Sequence, residues 1–232
     1  EEYSKLRERF DTPENDFFYF ATMANFIFKG PVLEWYMRVK INMERRYSTF
    51  HKLIPLDARV TDLGCGYGPL CFMLKLTSPG RVVTGIDYDR EKIELAKSCY
   101  TKGISFTEGD ITIAPIPESD VIILCDTLHY LLPESQRAVL KRVVESTADG
   151  GFIIIRDGDS ENLKKHKVTK LSEWFSINLL NFNKSAQSPC FMGKSEILST
   201  AAELGCSVEV SNNDSYTSNT TYILRPENRS LR

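Results

Sequence analysis

The chain of 232 residues contains only three histidines, and its six cysteines form no C-x-x-C pair and no cluster with histidine. No metal-ligating or disulfide framework is therefore read from them. Cys65, Cys71, Cys99, Cys125, Cys190 and Cys206 fall mostly inside apolar runs, where a free thiol behaves as a small hydrophobe. Reduced thiols point to a cytoplasmic setting. No apolar run approaches the ~20 residues that span a bilayer, and no signal-peptide pattern opens the chain. Charge of one sign is also missing. A net charge of −2 exerts no global pull toward nucleic acid or an anionic membrane. Internal repeats and low-complexity linkers are absent. The chain does not open with methionine, so a trimmed protein and a domain of a longer polypeptide are both open readings.

What remains is an ordinary globular composition, 42% apolar and 26% charged, with enough length for a sizeable core. From about residue 58 onward, strand-like and helix-like segments alternate, which predicts an α/β domain with a mostly parallel sheet. Residues 90–100 read as a helix with Asp89 as N-cap. Residues 133–146 read as another, opened by Pro133, and residues 194–204 as a third, ended by Gly205. Residues 206–210 and 221–224 read as closing strands joined by a polar, asparagine-rich loop.

The densest signal is residues 60–69, VTDLGCGYGP, followed by residues 82–89, VVTGIDYD. Each is a β-branched run ending in a carboxylate. The first runs into Gly64, Gly66 and Gly68, after which an apolar helical pattern begins. Glycine permits positive φ and close ligand approach, and a strand-to-helix turn offers free N–H groups to polar ligand atoms. Asp87 follows the glycines by about 20 residues, where an acid can accept from both hydroxyls of a ribose. A dinucleotide fingerprint would read G-x-G-x-x-G. Here the third glycine comes one position early, which disfavours a nicotinamide-dependent oxidoreductase.

These residues resemble the first two motifs of the class I S-adenosylmethionine (SAM)-dependent methyltransferases. Residues 104–110 (ISFTEGD), 119–131 (SDVIILCDTLHYL) and 150–157 (GGFIIIRD) resemble the third, fourth and fifth strands of that family. The resemblance implies a doubly wound, Rossmann-like, mostly parallel seven-stranded sheet whose last strand is antiparallel. It implies SAM as cofactor and methyl transfer to a small, apolar or aromatic acceptor. The implied cofactor contacts are the turn at Gly64, Cys65, Gly66 and Gly68 with Asp62 near the amino group. Asp87 takes the ribose, Tyr88 flanks the adenine, Asp110 and Ile111 hold the adenine, and Cys125 and Asp126 line the methionine end. A catalytically silent SAM-binding or scaffold domain of a larger protein is the alternative reading.

His129, just beyond strand four, is the candidate general base, since an unperturbed imidazole titrates near ~6.5. Its competing reading is packing at a turn. His51 and His166 lie in no motif and read as surface residues. Asp126 and Asp157 follow strands four and five and could face each other across the cleft. No metal is expected there, because Gly158 stands where a further carboxamide ligand would be needed. Lys164, Lys165, Lys167 and Lys170 read as a solvated face or as a landing site for an anionic or carrier-linked substrate. Trp174, Phe175, Phe182 and Phe191 read as core or as walls of an apolar pocket.

Residues 1–55 show no strand alternation and are rich in aromatics, including Phe17, Phe18, Phe26, Trp35 and Tyr36. Residues 31–54 read as one long helix with a broad apolar side. This segment is expected to form a helical cap, with residues 56–232 as the cofactor-binding domain.

Overall fold

The computed structural model describes residues 19–43, 47–158, 189–211 and 219–227. The lysine cluster, His166, Trp174, Phe175, Phe182, Phe17 and Phe18 lie outside the described residues. Strands β1 (Arg59–Leu63), β2 (Val82–Asp87), β3 (Ile104–Glu108), β4 (Ser119–Cys125), β5 (Thr147–Gly158), β6 (Cys206–Ser211) and β7 (Asn219–Pro226) form one seven-stranded sheet. Their order is β3-β2-β1-β4-β5-β7-β6. β1, β2 and β3 pair in parallel, as do β4 and β5, while β7 runs antiparallel to both neighbours. The expected α/β, doubly wound architecture with its antiparallel last strand is therefore found. The order reverses between β1 and β4, the kind of switch point at which open α/β sheets bind ligands. No helix among the described residues is long and apolar enough to cross a membrane.

The helices are α1 (Pro31–Met43), α2 (Tyr47–Leu53), α3 (Pro69–Thr77), α4 (Arg90–Lys97), α5 (Pro133–Ser146) and α6 (Lys194–Glu203). The single helix expected over residues 31–54 is thus described as two, with residues 44–46 outside the described set. Asp89 caps α4 as expected, accepting from the amides of Glu91 and Lys92. That helix ends at Lys97, three residues earlier than its apolar pattern suggests, because Ser98 takes the C-cap and turns the chain. α5 has the expected bounds, with Pro133 in its first turn.

The chain divides into two compact units, Glu1–Ile111 and Thr112–Arg232. In the first, the N-terminal helices are fastened to α3 by one buried guanidinium. Arg81 is fully buried and donates to the carbonyls of His51, Ile54, Pro55 and Leu74 and to the Thr77 hydroxyl. The cation thus lies at the carbonyl ends of both α2 and α3, where the helix dipoles favour it. Rings extend the contact: Phe26 meets Phe72 at 5.7 Å, and Phe72 meets Phe106 of β3 at 5.6 Å. His51, read from sequence as a surface residue, is half-buried in this junction.

Replacing Arg81 by Met would remove a hydrogen-bond donor from four carbonyls and a hydroxyl at once. We expect Arg81→Met to lose about 3 kcal/mol of stability in urea unfolding. Arg38→Met, which breaks the exposed Arg38–Glu34 pair, should leave the midpoint nearly unchanged. Equal midpoints for the two variants would remove Arg81 from this role.

Candidate functional site

In the first unit, β1 ends in a turn where Gly64, Gly66 and Gly68 all have positive φ, at 77°, 56° and 77°. Two of them show why no side chain is present. A Cβ on Gly68 would lie 2.7 Å from the Phe106 ring, so the turn can close on β3 only without one. A Cβ on Gly66 would meet nothing within 4 Å, so this left-handed residue turns its Cα toward open space. The Gly66 amide donates to Asp87 Oδ2 at 2.7 Å, and the Asp89 amide donates to Asp87 Oδ1 at 2.9 Å. The two motifs picked out in the sequence are thereby tied through a single buried carboxylate. Each oxygen accepts one amide and keeps further lone-pair capacity. Tyr88 is half-exposed beside it, Asp110 is exposed, and Ile111 is buried just after β3.

Asp62 sits in β1 and is buried, with the Cys71 thiol donating to its Oδ2 at 3.4 Å. Burial pushes its pKa up to about 7; the Asp87 charge adds to this, while the thiol bond and the Lys40 ammonium oppose it. Burial likewise raises the Cys65 and Cys71 thiols, so both stay protonated and weakly nucleophilic. Tyr67, between the last two glycines of the turn, packs edge-on to Tyr36 of α1 at 6.4 Å. Burial, assisted by Tyr36, pushes the Tyr67 phenol up to about 12, which keeps it a hydrogen-bond donor.

The second unit holds a different constellation. His129 lies in a short 3₁₀ turn, Leu128–Tyr130, after β4. Its Nδ1 lies 2.5 Å from Asp157 Oδ1, its backbone amide donates to Asp157 Oδ2 at 3.1 Å, and the Gly158 amide donates to Oδ1 at 2.7 Å. A carboxylate that accepts from two backbone amides is suited to accept Nδ1–H as well, which leaves Nε2 as the ring's lone-pair nitrogen. Phe191 stacks on the imidazole at 4.8 Å, and a Cβ on Gly158 would lie 2.7 Å from the Phe191 ring. Gly158 is therefore the space Phe191 occupies. Gln136 secures the turn by donating to the carbonyls of Leu128, Leu131 and Cys190.

The expectation that Asp126 and Asp157 face each other is not met. Asp126, with φ of 53°, accepts from the buried Arg156 guanidinium at 3.0 Å and from the Asn219 amide at 3.0 Å. Arg156 and Asp157 are successive on β5 and so project to opposite faces of the sheet, carrying their partners apart. Among the described residues no group of three or more His, Cys, Asp or Glu could hold a metal ion. All six cysteines are free, four of them buried, with Cys125 and Cys190 half-buried. Arg156, Asn219, Gln136 and Lys40 escaped the sequence reading. Only Arg156 carried a signal, as a cation closing an otherwise apolar run.

Because native Asp62 retains a proton up to about pH 7 that the unfolded chain loses near its ordinary value of 3.8, burial of this group costs stability as pH rises through that window. We expect Asp62→Asn to be more stable than the parent in urea at pH 8, with the gap closing by pH 4. A gap independent of pH would contradict the assignment.

Comparison with known proteins places these sites in a family. A family described as "Methyltransferase domain" matches residues 56–211. Carboxy-S-adenosyl-L-methionine synthase of Aeromonas salmonicida is 29% identical over 109 residues, covering 44% of this chain and 44% of that protein. Trans-aconitate 2-methyltransferase of Mycolicibacterium gilvum is 30% identical over 157 residues, covering 65% of this chain and 58% of that protein. The chain thus spans about half the length of the curated relatives it matches. Among solved structures, human N-acetylserotonin methyltransferase in complex with SAM shares the fold with a TM-score of 0.62 at 19% identity, covering 86% of this chain and 57% of that one. Magnesium protoporphyrin IX methyltransferase from Synechocystis PCC 6803 with bound SAH does so with a TM-score of 0.59 at 18% identity, covering 78% of this chain and 81% of that one. With residues 56–211 inside that family match, the chain belongs to the methyltransferase domain family.

Proposed function

We propose that this protein transfers a methyl group from SAM to a small apolar or aromatic acceptor. The observation that carries the reading is the Gly66–Asp87 bond, which holds a left-handed, open glycine turn against a buried carboxylate. SAM supplies an electrophilic methyl on a sulfonium, so the protein's own tasks are positioning and exclusion of water. The residues present fit that molecule. Asp87 offers accepting oxygens for the ribose diol, and the buried Asp62 suits the amino group, a cation that would compensate its desolvation. Tyr88, Asp110 and Ile111 are assigned to the adenine, and Cys125 and Asp126 to the methionine end. The N-terminal helices act as a cap; the Tyr36–Tyr67 contact supports this by bringing α1 to the glycine turn.

His129 is assigned as the base that takes a proton from the acceptor at Nε2. Asp157 is its positioning residue, fixing the tautomer and the ring plane through Nδ1. Such a base suits an acceptor that must lose a proton to become nucleophilic, such as a hydroxyl. The aromatic stack of Phe191 on His129 supports a flat or apolar acceptor. Trans-aconitate, named in one relative, is an anion, and an anionic acceptor is the natural second compound class to screen.

Calorimetric titration with SAM should give one-to-one binding, and Asp87→Ala should weaken it at least about tenfold through loss of a charge-assisted contact. No binding by a folded wild-type protein would overturn the reading and return attention to nicotinamide cofactors or a scaffold role. For His129→Gln, turnover on an identified acceptor should fall about 10²- to 10⁴-fold with SAM affinity retained. In the parent, kcat/KM should drop on acidification as the imidazole takes up a proton. A variant with full turnover would return His129 to a packing role.

A further inference from the structure

Around His129, one side chain outside the proton-transfer path holds two separate chain segments at once. Gln136 lies in the first turn of α5 and is 1% exposed. Its backbone amide bonds the Leu132 carbonyl, while its side chain reaches back to the 3₁₀ turn. There Nε2 lies 3.0 Å from the Leu128 carbonyl, 3.1 Å from that of Leu131 and 2.6 Å from that of Cys190. An amide has two hydrogens, so the three acceptors share them. All three are carbonyl oxygens, so the position calls for a donor, and an amide supplies one without burying a charge. Leu128 and Leu131 bracket His129 in sequence, and Cys190 precedes Phe191. The Cys190 amide in turn donates to the His129 carbonyl at 2.7 Å. Cys190 is thus gripped on both sides, its N–H by His129 and its C=O by Gln136.

This grip decides where an aromatic ring lies. Phe191 stacks on the imidazole at an interplanar angle of 25°, its ring against the space that Gly158 leaves. Tyr130, from the turn itself, meets the imidazole at 4.1 Å and 48°. Asp157 fixes the imidazole through Nδ1, whereas the ring laid over it comes from a distant part of the chain. We propose that Gln136 is the positioning residue that keeps Phe191 on the imidazole of His129, so that base and aromatic wall meet the acceptor together. This rests on the reading of His129 as the base. Asp157 then orients the proton-accepting nitrogen, and Gln136 sets the surface against which the acceptor lies. Removing the amide should displace that surface without touching the Asp157 bond.

Histidine NMR tests this directly, because the chain contains only three histidines. His129→Gln identifies the signals of that ring. In the parent, its carbon-bound protons should show an upfield ring-current shift that Phe191→Leu removes. Gln136→Met has nearly the same length and no donor. In that variant most of the shift should vanish, while the imidazole nitrogen spectrum still shows a proton on Nδ1. On an identified acceptor, its kcat/KM should fall about 10- to 100-fold through misplacement. Gln136→Asn keeps the amide on a shorter stem that cannot span the three carbonyls. It should show the same loss, and it decides alone if the methionine variant does not fold. A folded variant with the parent's ring-current shift would overturn the proposal and leave the base role standing. Loss of the Nδ1 proton as well would reduce Gln136 to general support of the turn, and so overturn it too. Full turnover by His129→Gln would instead remove the base, and the proposal with it.

Discussion

The first unit depends on one guanidinium. Arg81, just before β2, gathers carbonyls from the C-terminal ends of two helices, at Leu74 of α3 and at His51 and Ile54 in and just after α2. Burying a cation is costly, and here the cost is offset by five hydrogen bonds and by the negative ends of two helix dipoles. The consequence is positional. α2 is thereby held against α3, the helix that begins at the glycine turn, and α1 meets that turn through the Tyr36–Tyr67 contact. A residue with no place in the chemistry thus conditions the residues that have one.

Four aspartates illustrate how surroundings set the use of a single side-chain type. Asp87 and Asp157 each accept from two backbone amides, which hold the carboxylate in a fixed orientation. Asp126, in a left-handed backbone, accepts from an arginine and an asparagine, which fix where its carboxylate lies. Asp62 has a thiol as its donor, a weak one, and keeps its proton to about neutrality. That last arrangement is unfavourable in isolation.

The alternation of strands and helices and the glycine turn were legible because each rests on local rules, while the seven strands and the antiparallel last one were implied by the family resemblance. Alternating β-branched runs, a capping Asp89, a first-turn Pro133 and glycines at alternate positions are chemical statements about adjacent residues. The tie between Asp87 and the glycine turn was within reach for the same reason, since both motifs stood out along the chain. What escaped depends on contacts between distant segments. His129 and Asp157 were each noticed, but their pairing follows from the parallel register of β4 and β5. That register sets Cys125 opposite Arg156 and so brings the turn after β4 to Asp157. Continued by one residue, that register would set Asp126 opposite Asp157, but Asp126 leaves the strand with a φ of 53° and its carboxylate goes to Arg156 and Asn219 instead. Arg81 and Lys40 looked like ordinary charges, since neither burial nor a partner can be read from a lone basic residue.

Placing Trp35 next to Tyr36 on α1 has a further consequence. Its indole is 53% exposed, on the outward side of a helix whose other side approaches the glycine turn. The chain contains only two tryptophans. Indole emission reddens with water contact, so the capping segment carries an optical label supplied by the sequence itself. Any rearrangement of that helix is written into the intrinsic fluorescence spectrum, without a dye and without altering a single residue.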